Sequence, residues 1–190
     1  MLSGVKFLIL GLLIAKPLSL YELHARFDAG LTHIYAASYG SIHRALRQLH
    51  AAGDIAQVDE PRAPRNAKRY AATGQGRGAW REWMGRPQPS EDSEASMLAR
   101  VLLLGVLETT AERKDVLLAL HRRALADLAE IRAVDTTLGA PGDATATQRY
   151  PRATLDYGVR ASAEMVRWLE QLLGELAPDE GTAERGSGHR

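Results

Sequence analysis

The chain has 190 residues, 24 Lys/Arg against 23 Asp/Glu, 45% hydrophobic residues and no cysteine. That is enough to bury one solid core or two small ones, and the missing cysteine excludes a disulfide framework and a thiolate metal site. The apolar opening, Val5–Ala15, is too short to span a bilayer and has no small-residue cleavage site before the amphipathic sequence that follows, so the expectation is a cytoplasmic protein without a signal peptide or a membrane partner.

The near-neutral balance hides a split. Residues 1–87 hold 12 Lys/Arg and 6 Asp/Glu, a net +6; residues 88–190 hold 12 and 17, a net −5. A basic front half suits a polyanionic partner, and an acidic back half suits a solvated, self-associating region.

In chain order, Val5, Leu8, Ile9, Leu12 and Leu13 repeat at helical spacing and predict a helix over about Gly4–Ala15, which Pro17 stops. Ser19 caps a second helix, with Glu22 three residues on completing a capping box. That helix carries Leu20, Leu23 and Phe27 and ends near Gly30. Ser38 or Tyr39 opens a third helix with a buried stripe of Ile42, Ala45, Leu46 and Leu49, and Gly53 supplies its stop. Ile55 and Val58 bracket a short strand, Pro61–Asn66 is a turn with two prolines, and Lys68–Thr73 is a second short run. A helix followed by a hairpin with a basic tip is the layout of a winged helix.

The outward face of the third helix collects Ser38, Tyr39, Gly40, Ser41, His43, Arg44, Arg47 and Gln48. Arg and Gln make paired hydrogen bonds to guanine and adenine edges, so double-stranded DNA is the expected partner. Ser41, Arg44 and Arg47 are the first candidates for base reading, and Gln48 comes after them because it lies further from the leading end. An ordinary solvated helix face is the bland alternative; the adjoining basic hairpin decides against it, because the pair has a docking geometry. Arg62, Arg65, Lys68 and Arg69 are the phosphate candidates of the wing, setting affinity and orientation and little sequence preference.

Thr73 caps a fourth helix containing Ala79, Trp80 and Trp83, and Gly85–Ser96 reads as a linker. Three further helices are expected: about Ser93–Glu108, about Ala111–Leu138 and about Pro151–Leu176. In the last, Leu155, Val159, Ser162, Val166, Leu169, Leu173 and Leu176 alternate spacings of four and three, a coiled-coil seam over three heptads. The resulting division is a winged-helix domain 1–85, a linker 86–96, a helical dimerisation domain 97–177 and a disordered tail 178–190. The expected fold class is mainly α, a winged helix-turn-helix domain followed by an α-helical, coiled-coil-like dimerisation domain. Dimerisation rests on Leu155, Val159, Val166, Leu169, Leu173 and Leu176, whose stripe needs cover, against the alternative of a self-contained monomeric bundle.

Other chemistries find little support. Gly74-Gln-Gly-Arg-Gly-Ala79 superficially matches a dinucleotide loop, but no second parallel strand follows it, and a flexible junction between wing and helix is the better account. The histidines lack a third ligand at matching spacing, so no metal is expected, and no nucleophile elbow is present, so neither a catalytic residue nor a cofactor is expected. Trp80, Trp83 and Trp168 are core residues on the plain reading and walls of a small-molecule effector pocket on the functional one.

Taken together the landmarks resemble the PadR family of bacterial transcriptional regulators. The residues carrying the resemblance are Ile9-Leu-Gly-Leu-Leu13, Pro17 and Tyr21-Glu22-Leu23 near the start, Gly40-Ser41-Ile42 with Ala45-Leu46 in helix three, and Lys68-Arg69-Tyr70 with Thr73-x-x-Gly76 at the wing exit. Asp156-Tyr157-Gly158, Glu164 and Trp168-Leu169 look like the last helix of C-terminally extended members, so the likeness covers about residues 4–176. Three departures stand out. The family's Tyr-Pro after the Ser-Leu/Ile pair is His43-Arg44 here, so the tyrosine's phosphate contact carries over to His43 only weakly; the Gly before Tyr-Glu is Leu20; the Pro before the helix-three glycine is Tyr39. The resemblance implies a homodimeric, sequence-specific DNA-binding repressor, with a small-molecule effector in some members. The alternative is a winged-helix module that binds protein without sequence-specific DNA binding.

Overall fold

A computed structural model describes residues 2–31, 34, 37–59, 68–87, 94–137 and 146–176. The order is α1 (Leu2–Ala15), β1 (Leu18–Ser19), α2 (Leu20–Arg26) with a widened turn Phe27–Leu31, α3 (Tyr39–Ala51), β2 (Ile55–Val58), β3 (Arg69–Ala72), α4 (Gly74–Gly85), α5 (Glu94–Leu102), a 3-10 turn Leu104–Val106, α6 (Thr110–Thr137) and α7 (Ala146–Glu175). The chain divides into two compact units, Met1–Glu108 and Thr109–Arg190.

The first unit is built around α1. Its run Leu8-Ile-Leu10 and Leu13 is at most 1% exposed, so this helix is covered on most sides and shows no polar face. Leu23 of α2, Phe27 of the widened turn, Ile42, Ala45, Leu46 and Leu49 of α3, and Trp80 and Met84 of α4 complete the core. Burying each of the larger aliphatic side chains and Phe27 contributes about 1.5–3 kcal/mol. Gly11 is required by that packing: a Cβ there would lie 2.6 Å from Leu103 and 2.7 Å from the Trp80 indole nitrogen.

Capping rules hold locally. Ser19 and Glu22 form the reciprocal box, with Ser19 N donating to the Glu22 carboxylate at 2.7 Å and Glu22 N to Ser19 Oγ at 3.2 Å. Ser38 caps α3 and Thr73 caps α4. Gly53 leaves α3 at φ 77°, the left-handed region that favours glycine.

The sheet has three strands in the order β1-β3-β2, all antiparallel. The expected hairpin is β2 and β3, with Ile55 opposite Ala72 and Val58 opposite Arg69. The added strand, β1, places Leu18 opposite Tyr70 and makes β3 central. Two residues after a proline give no periodic signal, so only the partner strand about fifty residues away reveals them.

Gly76 has a structural purpose beyond flexibility. The start of α4 sits so close to the α3–β2 turn that a Cβ on Gly76 would lie 2.0 Å from the Asp54 carbonyl oxygen. Thr73 Oγ1 donates to the Gly53 carbonyl at 2.7 Å and Gln75 Nε2 to the Ala52 carbonyl at 2.6 Å, locking the same junction.

Helix α5 belongs to the first unit and ends at Leu102; the expected helix to Glu108 is broken by the 3-10 turn. Arg100 explains the attachment. It is fully buried, with Nε donating to the Trp83 carbonyl at 3.0 Å, one terminal nitrogen donating to Ser96 Oγ at 2.8 Å, and the guanidinium 4.2 Å from the Trp83 ring centre. Phe7 of α1 stacks on the same tryptophan at 5.1 Å. A buried cation is tolerable because its donors are hydrogen-bonded. The linker expected over 86–96 lies partly outside the described residues, and the boundary between the two units falls after Glu108.

The second unit is a pair of long helices. Thr109 and Glu112 form a further capping box at the start of α6, and Leu117, Leu120, Ala124 and Leu128 line its buried side. α7 begins at Ala146 and carries Pro151 inside it, five residues before the expected start could be marked by that proline. Gly158 lets α7 approach α6, since a Cβ there would sit 2.5 Å from Ile131 Cδ1. His121 of α6 pairs with Glu170 of α7 at 3.1 Å. The segment 178–190, expected as a disordered tail, lies outside the described residues.

Candidate nucleic-acid interface

The outward face of α3 is the candidate site. Ile42, Ala45, Leu46 and Leu49 hold one side of the helix in the core, which turns the other side to solvent. Gly40, His43, Arg44, Arg47, Gln48 and Ala51 line a shallow furrow there, and all six are exposed. The furrow runs between two ridges of the helix, 40-44-48 and 43-47-51, as i±4 rows dictate. From Tyr39 to Ala51 there is no Asp or Glu, so the two arginines have no neutralising neighbour on their own helix.

The leading end is organised by serines. Ser38 Oγ accepts from Ser41 N at 3.3 Å, and Ser41 Oγ donates to the Ser38 carbonyl at 2.8 Å. The Ser41 hydroxyl proton is therefore engaged in capping, leaving its oxygen as an acceptor. Tyr39 is half exposed, and its ring leans on His24 of α2 at 5.5 Å. His24 Nδ1 in turn meets Asp28 at 3.0 Å. Sequence reading overlooked this brace, although the i,i+4 spacing of His24 and Asp28 was its signal. A Cβ on Gly40 would meet nothing nearer than Ser38 Oγ at 4.0 Å, so the fold itself does not need glycine there.

The wing candidates separate. Lys68 is exposed at the start of β3. Arg69 faces inward: a terminal nitrogen donates to the Pro17 carbonyl at 2.8 Å and pairs with Glu22 at 3.1 Å. Its guanidinium thereby ties the central strand to α2. Burial opposes the charge of Glu22, but the Ser19 hydrogen bonds and the Arg69 guanidinium outweigh it and hold the carboxyl below its ordinary value. Arg62 and Arg65 lie outside the described residues.

The dimerisation candidates also separate. Val166 and Leu169 are buried within the single chain, at 6% and 0% exposure. Leu155, Val159, Leu173 and Leu176 are only half-buried. Of the tryptophans, Trp80 is 2% exposed against Gly11 and Leu103, and Trp83 is held between Phe7 and Arg100. Trp168 is half-buried on α7, in the other unit. Among the described residues no group of three or more His, Asp or Glu is placed to hold a metal ion, and no helix is long and apolar enough to cross a membrane.

Comparison with known proteins adds the back half. Residues 95–177 match the family described as virulence activator alpha C-term. Among solved structures, the chain is similar to Bacillus subtilis PadR in complex with operator DNA, with 23% identity, 91% of this chain and 99% of that one covered, and a TM-score of 0.41. It is similar to the PadR-like transcriptional regulator BC1756 from Bacillus cereus, at 26% identity, 90% and 96% coverage and a TM-score of 0.39. It is also similar to the Vibrio cholerae virulence activator AphA, at 21% identity, 90% and 96% coverage and a TM-score of 0.39. No curated protein matches the chain.

Proposed function

We propose that this chain is a sequence-specific DNA-binding transcriptional regulator that works as a homodimeric repressor. The observation that carries the DNA reading is the α3 face: a solvent-facing furrow with Arg44, Arg47, Gln48 and His43 and no carboxylate on the helix. A face rich in donors and free of carboxylates suits the acceptor-rich floor of the major groove and the phosphates beside it. The sheet beside α3 ends in a hairpin whose exposed Lys68 is suited to the DNA backbone.

The dimer is supported by the half-buried apolar residues Leu155, Val159, Leu173 and Leu176 on α7, and by Leu125 and Val134 on α6, which are 43% and 51% exposed. Two-fold symmetry also suits a protein reading paired half-sites. The repressor sense and control by a small-molecule effector are supported by the sequence resemblance alone.

A titration of the full chain with DNA over a range of salt tests the reading. Log affinity is expected to fall linearly with log salt, by about one unit of slope per phosphate contact. A chain that binds no DNA at low salt would refute it. Sedimentation tests the dimer: Leu173→Glu is expected to give monomers, and a dimer unaffected by it would move the contact elsewhere. A reporter fused to a selected binding site reads repression directly.

A further inference from the structure

We infer that the α3 furrow reads guanine: each half-site presents two guanines, neighbouring or one base pair apart, to Arg44 and Arg47, with an adenine at Gln48. This deepens the DNA-binding reading and rests on it.

The furrow is chemically one-sided. Arg44 and Arg47 carry only donors, and His43 beside them can donate as well. Cytosine offers its amino donor to the major groove and calls for a carboxylate, which α3 lacks entirely. Guanine offers two acceptors, O6 and N7, side by side, which the forked guanidinium meets with two hydrogen bonds. Gln48 is the one amide in the furrow, able to accept from adenine N6 and donate to N7.

Both arginines are available for this. Each is exposed, and among the described residues neither has a carboxylate partner, whereas Arg69 and Arg81 of the same unit are paired with Glu22 and Glu108. They also sit mid-helix. A 13-residue helix is about 20 Å long, against a major groove about 12 Å wide, so its middle meets the base edges while its ends meet the backbone. Gly40 and Ala51, the small residues at the two ends of the furrow, leave that middle unobstructed.

Spacing sets the register. Side chains three apart on a helix are about 5–6 Å apart at Cβ, and base pairs stack at about 3.4 Å. Arg44 and Arg47 therefore span one to two base steps. Gln48 shares the ridge of Arg44 one turn on, which places the adenine on the far side of the guanine that Arg44 reads.

The test selects bound sequences from randomised double-stranded DNA with the full-length chain. Each enriched guanine is then replaced by 7-deazaguanine, which keeps O6 and removes the N7 acceptor. Each half-site should contain two guanines within two steps. The replacement at one of them should weaken the unaltered chain by roughly five- to thirtyfold, a share of a paired contact. It should leave Arg44→Ala indifferent, and the other guanine should behave in the same way toward Arg47→Ala. Both variants change exposed side chains, and an unchanged circular dichroism spectrum confirms that they fold. Tight sites without enriched guanine, or guanines that tolerate 7-deazaguanine without loss, would overturn the guanine reading and leave DNA binding intact. Failure to recover any bound DNA would overturn both.

Discussion

Helices α3 and α7 both turn arginines to solvent, but they treat those charges in opposite ways. On α7, Ala146–Glu175, four arginines are balanced by Asp156, Glu164, Glu170 and Glu175. Arg160 pairs with Asp156 one turn back at 2.7 Å, and Arg167 pairs with Glu164. Helix α3 has two arginines and no acid. A self-neutralised face gains a few tenths of a kcal/mol per pair and asks nothing of a partner. A face left charged keeps its donors available to a polyanion. The pattern of carboxylates, more than the number of arginines, separates a solvated surface from an interface.

Charge reversal on both helices tests this contrast most severely. Arg44→Glu with Arg47→Glu should lower DNA affinity by roughly two to four orders of magnitude, the loss of two paired contacts. Arg160→Glu with Arg167→Glu should leave affinity unchanged and cost under about 1 kcal/mol of stability, since it places like charges one turn apart. Equal losses from the two pairs, read by titration at one salt concentration, would erase the distinction.

Glycines sharpen it from the packing side. Gly76→Ala forces a methyl group onto the Asp54 carbonyl and should cost about 1–3 kcal/mol in urea unfolding. Gly78, two residues on in α4, has nothing within 4 Å of its Cβ position; Gly78→Ala should stabilise by about 0.5–1 kcal/mol. A similar effect from both would mean that the junction between α4 and the α3–β2 turn is looser than its geometry.

Gly40→Ala separates fold from interface at one atom. The fold has open space there, so thermal stability should hold or rise by up to about 1 kcal/mol. DNA affinity should fall nonetheless if the first turn of α3 approaches the DNA closely, because the added methyl group would stand in the way. An unchanged affinity would place the closest approach further along the helix.

The smallest expected effect is a pH dependence. The Glu22 carboxyl is held below its ordinary value, so its ionised form stabilises the fold fully above that value and the contribution fades as pH falls through the lowered one. Glu22→Gln should therefore flatten the acid limb of stability, measured as denaturation midpoints on a pH series. The effect should be modest because the Glu22 side chain is 38% exposed and its pairing with Arg69 is screened by solvent. A limb of undiminished steepness in the variant would assign the acid response to other carboxylates.

Features that depend on neighbours within a turn or two are legible in the amino-acid order alone. The caps Ser19 and Thr73, the Ser19/Glu22 box, the buried stripe of α3, the stop at Gly53 and the two hairpin strands all follow from local hydrogen-bonding and periodicity, and the structure places them where that reading did; of Ser38 and Tyr39, it makes Ser38 the cap of α3. The polar side of α3, from Ser41 to Gln48, was legible for the same reason. Tertiary structure decided whatever rests on partners remote along the chain. Strand β1 exists because Leu18 finds Tyr70. Arg69, alike in sequence to a wing contact, is turned inward by Glu22 and the Pro17 carbonyl. Arg100 and Trp83 bind α5 to the first unit across what reads as a linker. Leu169, a member of an apparent interchain seam, is fully buried within one chain. In each case the side chain carries the same chemistry in either role, and only the approach of a distant segment selects between them.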